Sequence, residues 1–260
     1  MSKTVDYEKI PGHWLLAELG KTVLRPGGLN LTKSMLQQLN ITKDDQVVEF
    51  APGLGVTARL TLAHDPHYIA IEQNEDAAAQ VQAYLNGERQ TCVIGTAEQT
   101  GLEDNSATIV YGEAMLTMQS AKQKDNIIAE AKRILNVGGK YAIHEMSLTE
   151  AVNEGDIRTN IRKDLVDALR VNATPLLVKE WKEALEKHGF EVTYIEKVPM
   201  HLLHPKRLIE DEGVLGVAKI VKNVAKNSAA RKRVLKMRKT FMKYESYMEG
   251  ICLVATLKSK

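Results

Sequence analysis

The heptapeptide EFAPGLG, residues 49–55, is the most informative stretch of the sequence, because it places a glycine loop directly after an apolar, β-branched run. Residues 46–51 predict a strand and residues 56–64 predict a helix. The two glycines allow a tight turn and a close approach of a ligand to the backbone. The first turn of the following helix offers free N–H groups. This arrangement is typical of a nucleotide-like ligand site at the edge of a parallel sheet.

Short apolar runs and helical segments continue to alternate after this loop. Further strands are predicted at residues 68–72, 90–94, 108–111 and 140–146, with helices at residues 74–86 and 120–135 between them. Near-continuous apolar strands alternating with helices predict a parallel sheet that is covered on both faces.

The C-terminal part of the chain adds a helix and two strands. Thr174 can cap a helix that begins at Pro175 and ends at Gly189. Strands follow at residues 190–198 and 251–257. We therefore expect one domain over residues 1–260. Its parts are a helical cap at 1–45, a cofactor-binding core at 46–146, an insertion at 147–173, the end of the sheet at 174–205 and 249–260, and a basic helical insertion at 206–248.

Composition excludes several classes of protein. The 260 residues are 44% hydrophobic and 26% charged, without a low-complexity tract, which argues against disorder. No apolar run approaches the roughly 20 residues that a membrane span needs, and the N-terminus lacks a secretory pattern. Cys92 and Cys252 are too few for a disulfide framework or a zinc site, and they fall on strands expected far apart. These features predict reduced thiols and a cytoplasmic location.

A carboxylate on the second predicted strand extends the glycine signal. Glu72 follows Gly53 by nineteen residues, where it can accept both hydroxyls of a ribose. This pattern alone fits NAD and S-adenosylmethionine (SAM) equally. Glu49 favours SAM, because a carboxylate would repel a pyrophosphate but could hold an ammonium group. Residues 95–98 could clasp an adenine, and Ala58 stands where the third glycine of a dinucleotide site would be.

Residues 46–146 resemble the class I SAM-dependent methyltransferases, especially small-molecule enzymes similar to the ubiquinone/menaquinone biosynthesis methyltransferases. The resemblance lies in the ordered motifs EFAPGLG, IAIE, GTAEQTGLEDNSATIVY and AKRILNVGGKYAIHE. It implies an α/β, Rossmann-like sheet of seven strands, mostly parallel, with the last strand antiparallel between the fifth and sixth. It also implies SAM as cofactor and S-adenosylhomocysteine as product.

The resemblance assigns cofactor roles residue by residue. Glu49 would hold the methionine ammonium, Glu72 the ribose, and the backbone of Ala97 the adenine. Thr96 stands where an aspartate commonly holds the adenine amino group, so that contact departs from the pattern. The full predicted cofactor set is Glu49, Ala51, Gly53, Gly55, Glu72, Gln73, Thr96, Ala97 and Glu98.

Two residues are candidates for catalysis. Methyl transfer is an in-line displacement, and it needs a general base only when the acceptor must lose a proton. Glu113, at the end of the fourth strand, could orient the acceptor or act as the base; the alternative is a loop carboxylate facing water. His144 could face the site from the fifth strand, or it could be a buried structural histidine.

Four residues are candidates for contact with the acceptor. His13 and Trp14 lie in the predicted cap and could close over the substrate, although Trp14 could equally be a packing residue. Met115 follows the fourth strand, and His201 follows the sixth. No His/Cys/Asp group has metal-ligand spacing, so no metal is expected.

Residues 213–244 carry ten lysines and arginines and no acidic residue, while the rest of the chain has a net charge of −8. Three interpretations stay open. The segment could be a solvated helical lid, a site for an acidic substrate or RNA, or a basic amphipathic surface for anionic lipid. The fourth strand ends in YGEAM, without the Asn/Asp-Pro-Pro-aromatic motif of base-amino methyltransferases, which makes nucleic acid a less favoured partner.

The leading hypothesis is a SAM-dependent methyltransferase that acts on a small-molecule acceptor. One alternative is a SAM-binding regulatory module without turnover. Another is a methyltransferase that uses the basic insertion to reach RNA or a lipid or isoprenoid acceptor.

Overall fold

One twisted sheet organises the molecule, and the computed structural model describes residues 6–152 and 155–260. Its strands run in the spatial order β3-β2-β1-β4-β5-β8-β7, with the two-residue β6 beside β5. The strands are β1 Gln46–Phe50, β2 His67–Glu72, β3 Gln90–Ile94, β4 Ala107–Glu113, β5 Leu135–Leu148, β6 Leu176–Leu177, β7 Phe190–Pro199 and β8 Met248–Leu257.

The strand directions confirm the predicted α/β, Rossmann-like sheet. Pairs from β3 through β5 are parallel, whereas β8 runs antiparallel to both β5 and β7. The last strand therefore lies between the fifth and the next long strand, as expected. The sheet has one strand more than the predicted seven, because β6 adds two residues against the end of β5.

Helices cover both faces of the sheet. They are α1 Gly12–Glu18, α2 Gly28–Leu39, α3 Val56–Leu62, α4 Glu75–Gln82, α5 Ala121–Ile134, α6 Asp156–Leu169, α7 Val178–Glu186, α8 Pro205–Lys226 and α9 Ser228–Lys243. On one face α5 and α7 pack against the strands, with Trp181 fully buried. On the other face lie α2, α3 and α4, and α2 contributes Leu31, Met35 and Leu39 to the apolar core there. This helix of the predicted cap is thus a layer of the main core.

A third apolar cluster lies at the carboxyl end of β5. Met146 and Leu148 of that strand pack there with side chains of α1, α6 and α9, among them Leu15, Leu165 and Met237. The two segments predicted as insertions therefore meet over one end of the sheet. Of the two helices in the basic insertion, α9 is packed more firmly than α8, because Ile220 is the only buried residue of α8 within the described chain.

The start of α7 differs from the prediction. The helix begins at Val178 rather than at Pro175, and the Glu180 carboxylate accepts a hydrogen bond from the Leu177 N–H (2.8 Å) at its first turn. The Thr174 hydroxyl is engaged elsewhere: it donates to the carbonyl of Gln119 (3.0 Å) and accepts from Lys124 Nζ (2.6 Å). Thr174 therefore ties the loop after β4 to α5 and does not cap a helix.

Both cysteines are free thiols. Cys92 lies in the edge strand β3 and Cys252 in β8, which is five strands away. At about 4.8 Å per strand this separation is far beyond disulfide reach. No helix within the described ranges is long and apolar enough to cross a membrane.

Candidate active site

A cleft of about 350 Å³ opens at the carboxyl ends of β1, β2 and β4. The strand order reverses between β1 and β4, and open α/β sheets bind ligands at such a switch point. We call this cavity the cofactor cleft. Most of the predicted site residues line it: His13, Trp14, Glu49, Ala51, Gly53, Glu72, Gln73, Thr96, Ala97, Glu98, Glu113 and Met115.

The loop after β1 uses its two glycines differently. Both have left-handed backbones, with φ of 55° at Gly53 and 69° at Gly55. A Cβ on Gly53 would have nothing within 4 Å, so this residue presents bare backbone to the cleft. A Cβ on Gly55 would lie 1.8 Å from Tyr84 Oη. Gly55 is therefore required by packing at the start of α3, and it does not line the cleft.

Glu72 is fixed at the end of β2 by backbone donors. Its two oxygens accept from the N–H groups of Gly53 (3.0 Å) and Asn74 (2.9 Å). The side chain is 4% exposed and forms part of the cleft wall. A carboxylate held in this way presents its remaining lone pairs in a defined direction, as recognition of paired ribose hydroxyls requires.

Glu49 is a buried carboxylate at the end of β1. The hydroxyls of Tyr68 (2.6 Å) and Tyr111 (2.7 Å) both donate to its Oε2 atom. Burial raises the pKa of Glu49 to about 7, against the opposing effect of the two tyrosines. A cation that enters the cleft would restore the charge of this group, because a nearby positive charge favours the ionised carboxylate.

Glu113 is saturated with donors. It accepts hydrogen bonds from Thr32 Oγ1 (2.6 Å) and His144 Nδ1 (2.7 Å). Thr57 Oγ1 donates to its other oxygen, and Arg25 Nη1 lies 3.4 Å from that oxygen. Burial alone would raise the pKa of Glu113, but the charge of Arg25 and the hydrogen bond from His144 hold it at about 2. Such a carboxylate is a poor proton acceptor, and its geometry is that of a positioning residue.

His144 is fully buried and does not form part of the cleft wall. Its Nδ1 faces Glu113, and its Nε2 faces the backbone carbonyl of Pro26. Both ring nitrogens are therefore engaged by protein groups, and neither is left to meet a ligand. The structure therefore gives His144 a role in holding the segment before α2 against Glu113, rather than contact with an acceptor.

Arg25 was not identified from the sequence. It lines the cofactor cleft with an exposed fraction of only 8%, and its Nη1 pairs with Glu113. Its Nε and Nη2 are buried without a hydrogen-bond partner in the described chain. Unpaired buried donors are costly, so they fit a site that a ligand carboxylate completes. The only sequence signal is the turn-forming RPGG at residues 25–28.

The far end of the cleft is formed by residues 95–98, which follow β3. A tight turn is closed by a hydrogen bond from Gln99 N to the Thr96 carbonyl (3.1 Å). Glu98 is held from α5, since it accepts from Gln123 Nε2 (3.1 Å) and Asn126 Nδ2 (2.9 Å). These contacts fix a narrow wall where the sequence predicts the adenine.

A smaller cavity of about 80 Å³ adjoins the cofactor cleft, and we call it the apolar chamber. His13, Leu24, Ala114 and Met118 line both cavities. The structure places His201 elsewhere: its Nε2 lies 2.8 Å from a carboxylate oxygen of Glu245, and its ring stacks on His204 at 5.1 Å. Among the residues that the structure describes, no cluster of three or more His, Cys, Asp or Glu could hold a metal ion.

The sequence of this chain is similar to that of known proteins. Residues 48–143 match the model of a family described as "Methyltransferase domain". An uncharacterized protein of Haemophilus influenzae is 35% identical over 235 residues, which cover 88% of this chain and 91% of that protein.

Two solved structures share the fold at low sequence identity. The phosphoethanolamine N-methyltransferase 2 of Haemonchus contortus, in complex with SAM, matches with a TM-score of 0.70 and 18% identity, over 95% of this chain and 57% of that one. The mycolic acid cyclopropane synthase CmaA1, complexed with S-adenosylhomocysteine and CTAB, matches with a TM-score of 0.68 and 14% identity, over 86% of this chain and 82% of that one.

Proposed function

We propose that this chain, a SAM-dependent methyltransferase of the same family as the Haemophilus influenzae protein, transfers the methyl group of SAM to a small organic acceptor. The observation that carries the proposal is the distribution of charge in the cofactor cleft. Glu49 and Arg25 lie at one end of the cleft, and Glu72 lies at the end of the neighbouring strand β2. The cleft therefore offers a carboxylate for an ammonium group, a guanidinium for a carboxylate, and a second carboxylate for the ribose hydroxyls. A pyrophosphate, as in NAD, would disfavour the ionised form of Glu49 and would find no cationic partner in it.

The residues of the cleft have separate tasks in this proposal. Glu49 holds the methionine ammonium, and the free donors of Arg25 hold the methionine carboxylate. Glu72 holds the ribose hydroxyls, and residues 96–98 enclose the adenine. SAM supplies an electrophilic methyl group on a sulfonium. The protein's part is to hold acceptor, methyl and sulfur in line, which reduces the entropic cost of the displacement.

The acceptor is proposed to be small because the cleft continues into the apolar chamber and not into a long groove. The resemblance to ubiquinone/menaquinone biosynthesis methyltransferases supports an organic acceptor with an apolar part. A cytoplasmic location and the independence from metal stay predictions. The regulatory alternative, SAM binding without turnover, is tested by incubating the protein with labelled SAM and a metabolite extract; transfer of label to any compound excludes it.

Calorimetric titration with SAM and with NAD tests the cofactor assignment. We expect SAM to bind and NAD not to bind. Glu72→Gln should weaken SAM binding by about 10- to 100-fold, because a hydrogen bond to a charged group contributes roughly 1.5–3 kcal/mol. Glu75→Gln, which removes an exposed charge from the following helix, is the matched control and should leave the affinity unchanged. Tight NAD binding, or full SAM affinity in Glu72→Gln, would refute the assignment.

A further inference from the structure

The apolar chamber lies beyond the carboxyl end of β4, between helices outside the nucleotide-binding part of the sheet. Side chains of α1, α6, α9 and the loop after α6 form its walls, among them Leu16, Leu169, Phe241 and, in that loop, Val171. Three polar side chains line it: His13, Thr117 and Glu145.

Two of these polar residues, Thr117 and Glu145, form hydrogen bonds with each other and with backbone groups. Glu145 Oε1 accepts from the N–H groups of Met115 (2.9 Å) and Leu116 (2.7 Å). Glu145 Oε2 accepts from the N–H (3.0 Å) and the hydroxyl (2.7 Å) of Thr117. Neither residue is left to bind a ligand charge, so the chamber offers a charged group no partner of its own. Burying an unpaired charge is costly, and the chamber therefore fits an uncharged ligand.

His13 is the third polar residue, and it has a different environment. Of the four residues shared by the cofactor cleft and the apolar chamber, only His13 is titratable. Its ring packs beside Trp14 with the ring centroids 5.2 Å apart, and no hydrogen bond or ion pair within the described chain engages it. Burial lowers the pKa of His13 to about 4, so the ring is uncharged at neutral pH and carries a free lone pair.

We propose that the apolar chamber binds an uncharged hydroxyl compound, with a small ring or short aliphatic group, and that His13 accepts the hydroxyl proton during methyl transfer. The proposal rests on the proposed function of the cofactor cleft. It replaces Glu113 as the base, because both oxygens of Glu113 are already engaged by donors, whereas a ring nitrogen of His13 is free to meet the acceptor.

The step balances without a further reactant. The acceptor oxygen forms a bond to the methyl carbon, the sulfur–methyl bond breaks, and its electron pair stays on sulfur. The hydroxyl proton passes to the free ring nitrogen of His13 and then to water. The sulfonium loses its positive charge as the imidazolium forms. The net charge where the cofactor cleft meets the apolar chamber therefore does not increase.

The test uses two probe acceptors that differ in their need for a base. Both probes are uncharged at pH 8: phenol keeps its proton there, and pyridine has no proton to lose when its nitrogen is methylated. Wild-type protein with SAM should form anisole and N-methylpyridinium. With SAM saturating, His13→Gln should lower the rate with phenol by at least 100-fold, the range that general-base catalysis supplies. The same variant should change the pyridine rate less than threefold.

A second variant tests the chamber itself. Val171 is half-buried and lines the chamber but not the cofactor cleft. Val171→Phe should fill the chamber and abolish methylation of both probes, with SAM binding retained.

Three results would overturn the proposal. Equal losses with both probes in His13→Gln would reduce His13 to a packing residue. Full activity in Val171→Phe would place the acceptor elsewhere. SAM binding by wild type without methylation of either probe would exclude this substrate class while leaving the cofactor assignment intact. A failure of SAM binding would instead refute the proposed function first.

Discussion

Glu49 couples the binding of an ammonium group to its own ionisation. Because burial raises its pKa to about 7, the ligand-free protein holds a proton on Glu49 below that pH. SAM should bind the ionised form, so its affinity should rise with pH and fall by roughly tenfold for each pH unit below 7. Calorimetry at pH 6 in two buffers of different ionisation enthalpy should show the release of about one proton for each SAM bound.

Glu49→Gln provides the control for this pH dependence. The variant should bind SAM weakly, with an affinity that does not change between pH 5.5 and 7.5. The ligand-free protein gives a second readout. Its folded state binds more protons at Glu49 than the unfolded chain between about pH 4.5 and 7, so this group's contribution to stability should decrease as the pH rises through that window. SAM binding without proton release would show that Glu49 does not meet the ammonium.

We expect Arg25 to bind the carboxylate of the methionine moiety of SAM. Arg25→Met keeps the apolar stem but removes the two donors that lack partners, so SAM affinity should fall by about 10- to 100-fold. Decarboxylated SAM should bind wild type and variant equally, since it has no carboxylate to lose. Titration calorimetry with both compounds measures the difference. Arg59→Met, which removes a cation stacked 4.1 Å above Tyr84 outside the cleft, is the control; equal losses for both compounds in Arg25→Met would contradict the role.

The roles of Arg25 and His144 could not be derived from the sequence, and the reason is physical. His144 takes its role from a hydrogen bond to the Pro26 carbonyl, 118 residues away in the chain. Glu113 is saturated by residues from three other elements, none of which shares a motif with it. Local patterns report periodicity and turns, whereas the ionisation of a buried group depends on which distant donors surround it.

At the level of elements, the sequence predicted most of the fold. The starts of α4 and α5 were found because their caps are local: Asn74 accepts from Ala77 N, and Ser120 forms a reciprocal capping box with Gln123. The strands β1, β2 and β4 were found because they are mostly buried apolar runs next to turn residues. The strand β6 was not found, since two residues carry no periodicity and pair only because β5 extends to Leu148.

Substitution of the two glycines before α3 should destabilise the protein to different extents. Gly53→Ala should destabilise the protein by about 1–2 kcal/mol, the cost of a left-handed backbone with a Cβ. Gly55→Ala should cost more, because its Cβ would also overlap Tyr84 Oη. Adding Tyr84→Ala should recover part of the loss in Gly55→Ala and none in Gly53→Ala. Denaturant unfolding of the single and double variants measures this coupling, and an additive result for Gly55 and Tyr84 would contradict the packing argument.

Over the whole molecule, the near-neutral net charge of +2 conceals two unlike parts. The cofactor-binding body is acidic, and residues 213–244 carry ten positive charges. Exposed large apolar side chains concentrate in the same region. Leu215 is 87% exposed and Val214 71%, and both lie with Val221 on α8. Phe241 of α9 also forms a wall of the apolar chamber, so this surface and the acceptor site share one structural unit.

Such a combination of exposed apolar groups and lysines favours the lipid-surface interpretation of the basic insertion. We expect the protein to bind vesicles that contain anionic phosphatidylserine and not neutral phosphatidylcholine vesicles, with an affinity that falls as salt is raised.

Charge reversal at three lysines of α8 provides the test. Each lysine near an anionic surface contributes about 1 kcal/mol, so the triple variant Lys219→Glu, Lys222→Glu and Lys226→Glu should lose at least tenfold in vesicle affinity in a flotation assay. The control reverses three exposed lysines outside the insertion, namely Lys33→Glu, Lys43→Glu and Lys122→Glu. Equal losses in the two variants would mean that net charge alone drives binding. The surface of α8 is specifically involved only if its own lysines matter more, and SAM affinity should stay unchanged in both variants because neither set lines the cofactor cleft.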